Sequence, residues 1–149
     1  MKIPLRYIEA WNFLSLPGLI SIHRSRIFHQ PIEFLIDTGS SLTFISELDF
    51  KRLQINKNLL VTSQKERHLR IGGGTYNLFT LSTKTEFHFK TENETSSKFE
   101  IPSIEVSLAV SQRDSKMGEG ISIIGTDFLK TNEMVLHANF KKHDFYLEK

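Results

Sequence analysis

Asp37, Thr38, Gly39, Ser40 and Ser41 stand between two short apolar runs, Phe34 to Ile36 and Leu42 to Ile45, in the stretch EFLIDTGSSLTFIS. The runs read as buried strands, which makes the polar five an exposed elbow between them. An elbow of this composition presents a carboxylate to a cleft rather than to the core, with a glycine that lets the backbone fold back and hydroxyls alongside. The chemistry open to such a group is proton transfer. The same residue types also build ordinary turns. From average residue usage the triplet Asp-Thr-Gly arises by chance in roughly one chain in ten of this size, so the elbow alone does not decide the matter.

A second stretch, Ile121 to Leu129 (ISIIGTDFL), sets Ile123 and Ile124 before Gly125, with a short helical turn expected behind them. Between the two lies Arg70 to Tyr76, RIGGGTY. The three motifs in this order resemble the retropepsin-like aspartic peptidases, the single-domain retroviral type, from about Gly18 to Leu147. The resemblance implies an all-β fold, a closed β-barrel of the acid-protease kind with one or two short helices, assembled as a homodimer.

Residue roles follow from the resemblance. Asp37 is the catalytic carboxylate, Thr38 locks the two loops across the dimer axis, and Gly39 permits the tight bend. Ser40 lies near the dyad or the substrate. Ile71, Gly72, Gly73, Gly74 and Tyr76 form a flap over the substrate, while Ile123, Ile124 and Gly125 back the active loop. The implied activity is endopeptidase cleavage of an extended peptide or unfolded protein, with no cofactor and no metal.

A count bears on assembly. Paired-carboxylate hydrolysis needs one ionised and one protonated group, and two carboxylates in close contact share a proton. Asp49, Asp114, Asp127 and Asp144 all lack the Thr-Gly sequel, so a dyad requires Asp37 from two chains on a two-fold axis. The chain also departs from the viral pattern. Viral enzymes pair an acidic residue two positions after the loop glycine with an arginine directly after the later glycine, and here those positions are Ser41 and Thr126. Ser40 and Ser41 look more like the two-lobed cellular enzymes. Two other readings stay open: a catalytically inactive module of this fold that binds peptides or dimerises, and an unrelated β-rich binding domain.

The elements that must position these residues follow from pattern. With 149 residues and 39% hydrophobic content including twelve Phe, the chain suits one domain, 1–149, with a substantial core. A net charge of +2, scattered along the chain, gives no footprint for nucleic acid. The absence of cysteine excludes disulfides and thiolate chemistry. No apolar run reaches membrane-spanning length, and Arg6, Glu9, Asn12 and Pro17 interrupt any signal-peptide core. A soluble cytoplasmic protein is the expectation.

By the same resemblance Met1 to Asn12 would supply an N-terminal strand at a subunit contact. Gly18 to His23 and Ile27 to Ile36 read as a hairpin, and SELDFKRL from Ser46 reads as a capped helix. Gln54 to Arg67 and Gln112 to Gly120 read as surface connections. His68 to Ser82 reads as a hairpin with a glycine tip. A phosphate cradle there is disfavoured, since neither P-loop nor dinucleotide spacing is present. Thr83 to Lys90 and Ile104 to Val110 alternate as strands, Thr126 to Leu129 is a short helix, and Met134 to Phe140 with Asp144 to Leu147 is a final hairpin. The six histidines lack metal-ligand spacing.

Overall fold

Strands β3 (Phe13–Ile22) and β4 (Gln30–Ile36) pair antiparallel, with Gly18 opposite Ile32 and Ser15 opposite Leu35. They are the hairpin expected from the sequence, and they carry the chain into the Asp37 elbow. The computed structural model describes residues 1–65, 67–117 and 120–149. Along β4, Ile32, Phe34 and Ile36 are buried while Gln30, Pro31 and Glu33 are exposed, the period-two pattern of a strand with one face on the core.

On its other side β3 pairs with β9 (Thr85–Lys90), which pairs with β10 (Ser96–Ile101). The approach of β9 explains Gly18. A Cβ there would sit 2.6 Å from the Phe89 ring and 3.0 Å from the His88 carbonyl oxygen. Phe34, Phe87, Phe89 and Phe99 form an aromatic cluster with Phe128, with ring centroids 5.0 to 6.5 Å apart. Burying one such ring is worth several kcal/mol, about 3–5 by truncation to alanine. Phe128 lies on α3 (Thr126–Thr131), so this cluster holds the helix behind the elbow against the sheet.

After the elbow come β5 (Phe44–Ile45) and α1 (Glu47–Arg52). Ser46 caps α1 by accepting the Asp49 N–H at 3.2 Å, and Phe50 points into the core. Leu48, on the same helix, is 62% exposed.

The second half of the sheet is built on β8 (Gly74–Leu81), which pairs with β7 (His68–Ile71), β6 (Leu60–Thr62) and β11 (Ile104–Ala109). Strand β12 (Ser122–Ile124) joins the halves, parallel to β4 and antiparallel to β5. The resulting strand order is β10-β9-β3-β4-β12-β5-β11-β8-β6, with β2 (Arg6–Ile8) added on β3 and β7 on β8.

Among the described residues this sheet of eleven strands closes no ring. Its ends, β10 and β6, are unpaired with each other, so it is an open sheet where a closed barrel was expected. The physical reason is visible at the β10 end. Lys98 and Glu100 pair with each other at 3.0 Å, Lys84 reaches Glu100 at 2.7 Å, and Lys98 reaches Glu86 at 3.6 Å. A charged ladder of this kind leaves an edge solvated rather than available for closure.

Three short α-helices occur among the described residues, where one or two were expected. The addition is α2 (Gln112–Met117), in a stretch expected to be loop. Ser111 and Asp114 had the spacing of a capping box, and Asp114 N–H does donate to Ser111 Oγ at 3.2 Å. The helix carries no apolar period, so only its cap announced it. The remainder of that expected loop, at 118–119, and position 66 of the earlier connection lie outside the described residues. Within that earlier connection, 57–59 form a 3-10 turn leading into β6.

A separate three-stranded sheet contains β1 (Lys2–Pro4), β14 (Asp144–Glu148) and β13 (Val135–Asn139), in the order β1-β14-β13. The N-terminal strand is thus paired within its own chain. The Met1 amino group donates to the Lys149 carbonyl at 2.7 Å, and Lys149 N–H donates to Met1 at 3.0 Å.

Candidate active site

The elbow is held from below by the strand that passes under it. Asp37 N–H donates to the Ile124 carbonyl at 3.1 Å, and Thr126 N–H donates to the Ser40 carbonyl at 2.9 Å. Gly125 is where the two segments touch. A Cβ there would lie 2.5 Å from Leu42 O and 2.6 Å from Leu42 C, a crossing that only glycine allows. Ile123, opposite Leu35 and Phe44, and Ile124, opposite Ile36, are buried within the strand that forms this floor. The structure therefore brings Asp37, Ser40, Ile124 and Gly125 together.

Within the elbow, Asp37 Oδ1 accepts the Gly39 N–H at 2.9 Å and Asp37 O accepts the Ser40 N–H at 3.1 Å. Its carboxylate is fixed by its own loop and remains partly exposed, while Thr38 and Gly39 are exposed. Ser40 is bonded within the turn that closes the elbow. Its hydroxyl donates to the Leu42 carbonyl at 2.7 Å and accepts the Leu42 N–H at 3.3 Å, so it serves the local turn.

Two residues that motif reading passed over complete the support. Thr43 Oγ1 accepts the Gly125 N–H at 2.9 Å and donates to Asp127 Oδ1 at 2.6 Å. Asp127 Oδ1 also accepts the Phe128 N–H at 2.7 Å, occupying the first turn of α3, where a negative charge meets the helix dipole favourably. The capping of α3 falls to this carboxylate and not to the Thr126 hydroxyl, which leans on Ser40 O at 3.3 Å. Lys65 Nζ stands 3.9 Å from Asp127 and 3.8 Å from Glu105. Glu105 is fully buried on β11 and receives the Thr80 hydroxyl at 3.0 Å.

Gly72 and Gly73 join β7 to β8 with φ of 55° and 86°. Positive φ at both turn positions is the signature of a tight hairpin and explains the glycines. Gly74 is required for a different reason, since a Cβ there would meet the Asp114 carbonyl oxygen at 2.7 Å. Hydrogen bonds to Asp114 tie this hairpin to α2. Asp114 Oδ1 accepts the Thr75 N–H at 2.9 Å, and the Tyr76 hydroxyl donates to the Asp114 carbonyl at 2.8 Å. Hydrogen bonds from the Ser111 hydroxyl and then from Thr75 hold the Asp114 carboxyl below its ordinary pKa. Helix α2 is tied in turn to α1 by the Ser115 hydroxyl, which donates to Glu47 at 2.7 Å. A cavity of about 190 Å3 lies between them, with Ile71, Tyr76, Glu47 and Ser115 in its walls.

No group of three or more histidine, aspartate or glutamate side chains able to hold a metal occurs among the described residues, and none of their helices is long and apolar enough to cross a membrane.

Among solved structures the chain is similar to a retropepsin-like aspartic protease from Rickettsia conorii, with a TM-score of 0.59 and 13% identity over 98% of each chain. It is also similar to the EIAV protease in complex with the inhibitor HBY-793, with a TM-score of 0.49 and 16% identity over 88% of this chain and 98% of that one. No family model and no curated protein matches it. Identities this low speak for architecture, and the first of the two carries the assignment: the chain has the fold of a retropepsin-like aspartic protease.

Proposed function

We propose that the protein is an aspartic endopeptidase active as a homodimer. The observation that carries this reading is the Asp37 elbow. Its carboxylate is partly exposed, oriented by its own loop, and braced by Ile124 and Gly125 of a strand from the far end of the chain. A structural turn has no need of so elaborate a floor.

Two elbows related by a two-fold axis set the Asp37 carboxylates together, where they share one proton. The ionised member takes a proton from a water molecule, and the water oxygen forms a bond to the peptide carbonyl carbon. The protonated member gives its proton to the carbonyl oxygen. Collapse of the tetrahedral diol breaks the C–N bond as the carboxyl that took the water proton gives it to the amine nitrogen and the other carboxylate takes a proton from a diol hydroxyl, which leaves the dyad again with one proton for two carboxylates. Thr38 of each chain links the elbows across the axis, and the hairpin of Ile71, Gly72, Gly73, Gly74 and Tyr76 covers an extended peptide substrate and excludes water. The substrate class is unfolded or extended peptide with apolar residues beside the scissile bond.

The test is digestion of a denatured protein mixture from acidic to neutral pH by wild type and Asp37→Asn, with the oligomeric state of both measured by sedimentation. Cleavage by the wild type alone, both being dimers, is the expected result. Absence of cleavage by a folded wild-type dimer overturns the reading.

A further inference from the structure

Between β3 and β4 the chain turns through Arg24, Ser25 and Arg26. The Ser25 hydroxyl donates to the Ile22 carbonyl at 2.6 Å and accepts the Ile27 N–H at 3.0 Å. The serine thus serves the turn, and the arginines on either side of it are exposed. Arg24 holds a φ of 59°.

The end of α1 shares a groove with this turn. Gln54 N–H donates to the Lys51 carbonyl and Ile55 N–H to the Phe50 carbonyl, both at 3.1 Å, the paired closure of a Schellman motif. Its left-handed position ordinarily takes glycine, and here it is Gln54 with a φ of 55°. Both walls of the groove therefore keep a side chain where the backbone favours none. Arg52 is fixed by Asp49 Oδ1 and by the Pro31 carbonyl, each 2.7 Å from its Nη2.

The groove encloses about 750 Å3, and none of its lining residues is Asp or Glu. Among the described residues neither Arg24 nor Arg26 has an ion-pair partner. A guanidinium fork matches a carboxylate in shape and charge. The amides of Gln30, Gln54 and Asn56 stand beside the arginines, over a floor of buried Ile27 and Leu53. Gln30 donates to the Phe28 carbonyl and Asn56 accepts the Asn58 N–H, which leaves the Gln54 amide whole. An amide offers both a donor and an acceptor, the complement of a peptide backbone, whereas a phosphate uses donors alone. The volume also suits a ligand of many atoms rather than one small anion.

Arg52 lines a second cavity as well, of about 450 Å3, with Glu33 and Leu35 in its walls. These two alternate along β4 with Asp37 just beyond it, so all three face one side. From Gln30 to Asp37 the strand direction spans about 23 Å.

We propose that the groove between the Arg24–Arg26 turn and the end of α1 binds an acidic stretch of the extended peptide whose scissile bond lies at Asp37, about seven residues from that bond. Arg24 and Arg26 pair with its carboxylates, and the amides hold its backbone. This inference rests on the reading of the protein as a peptidase.

The test uses Asp37→Asn, which leaves peptides uncut, and fluorescein-labelled peptides that share one apolar core and carry either glutamates or glutamines about seven residues away. Fluorescence anisotropy is expected to show the glutamate peptide bound roughly 5- to 30-fold more tightly than the glutamine peptide, with the difference shrinking as salt rises. Adding Arg24→Gln and Arg26→Gln together is expected to abolish the difference, with circular dichroism unchanged. Equal binding of the two peptides, or a preference that survives both arginine changes, overturns the groove. Inorganic phosphate or a single-stranded oligonucleotide that displaces the label at lower concentration than the unlabelled glutamate peptide overturns the peptide as occupant. A glutamate preference in a protein whose wild type cleaves neither peptide keeps the groove and removes the peptidase. Cleavage by a wild type whose Asp37→Asn variant binds both peptides alike does the reverse.

Discussion

The Thr43 hydroxyl donates to Asp127 Oδ1 at 2.6 Å while accepting the Gly125 N–H at 2.9 Å, so one buried side chain ties the strand after the elbow to the turn beneath it. Removing the hydroxyl while keeping the shape leaves the buried Gly125 N–H without its acceptor, at a cost of about 1–3 kcal/mol. Thr43→Val is expected to lower the urea midpoint accordingly with an unchanged m-value. Any peptidase activity is expected to fall further than the folded fraction does, because the floor of Asp37 shifts. A variant with full stability and full activity would remove Thr43 from the support of the elbow.

Gly125 faces a sterner limit. All three atoms nearest to an added Cβ are backbone atoms of Leu42, at 2.5, 2.6 and 2.9 Å, and none can rotate aside. Gly125→Ala must open the crossing of the two segments, an overpacking that costs about 1–3 kcal/mol. Thermal unfolding measures the loss. The expected result is a destabilised protein whose Asp37 N–H, bonded to Ile124 in the wild type, exchanges faster with solvent.

Which parts of this arrangement were legible in the sequence follows from where the information sits. The elbow, its floor at Ile123 to Gly125 and the glycine hairpin were readable because each is a local pattern of apolar runs around residues with special backbone demands. The Ser46 cap of α1 was readable for the same reason. Thr43 and Asp127 were not, because their bond joins residues far apart in the chain and each looks unremarkable among its neighbours. Helix α2 was hidden by its polar sequence. Strand β10 was hidden because Phe99 is its one buried residue, too few to show a period. The open sheet was not foreseen because strand pairing at the ends depends on charges at Lys84, Glu86, Lys98 and Glu100 that meet only after folding.

The contact between Asp114 and the hairpin gives a pH prediction. Its carboxyl is held below the ordinary value of 3.8, chiefly by the Ser111 hydroxyl and then by the Thr75 N–H. A folded pKa depressed below the unfolded one stabilises above the unfolded value and loses that contribution as pH falls through the folded value. The hairpin is therefore pinned at neutral and mildly acidic pH and begins to loosen as pH drops below about 3.8. Amide exchange at Thr75, corrected for intrinsic rates, is expected to show reduced protection below that point. Asp114→Asn is expected to flatten the dependence and to leave the protection low throughout. An Asn variant with the wild-type profile would place the control elsewhere.

A shared dyad has a stoichiometric signature that no single-chain site can imitate. If Asp37 works only beside Asp37 of a second chain, a dimer containing one Asp37→Asn chain has one carboxylate and loses activity by on the order of a thousand-fold. Mixing equal amounts of wild type and Asp37→Asn and allowing exchange leaves about a quarter of the dimers fully wild type by random pairing. Activity is therefore expected to follow the square of the wild-type fraction. In the undiluted wild type, kcat/KM is expected to be bell-shaped on the acidic side of neutrality, since one carboxyl must be ionised and the other protonated. A linear fall on mixing would show that each chain carries a complete site. A rate still rising above neutral pH would show that the shared proton is not the one being transferred.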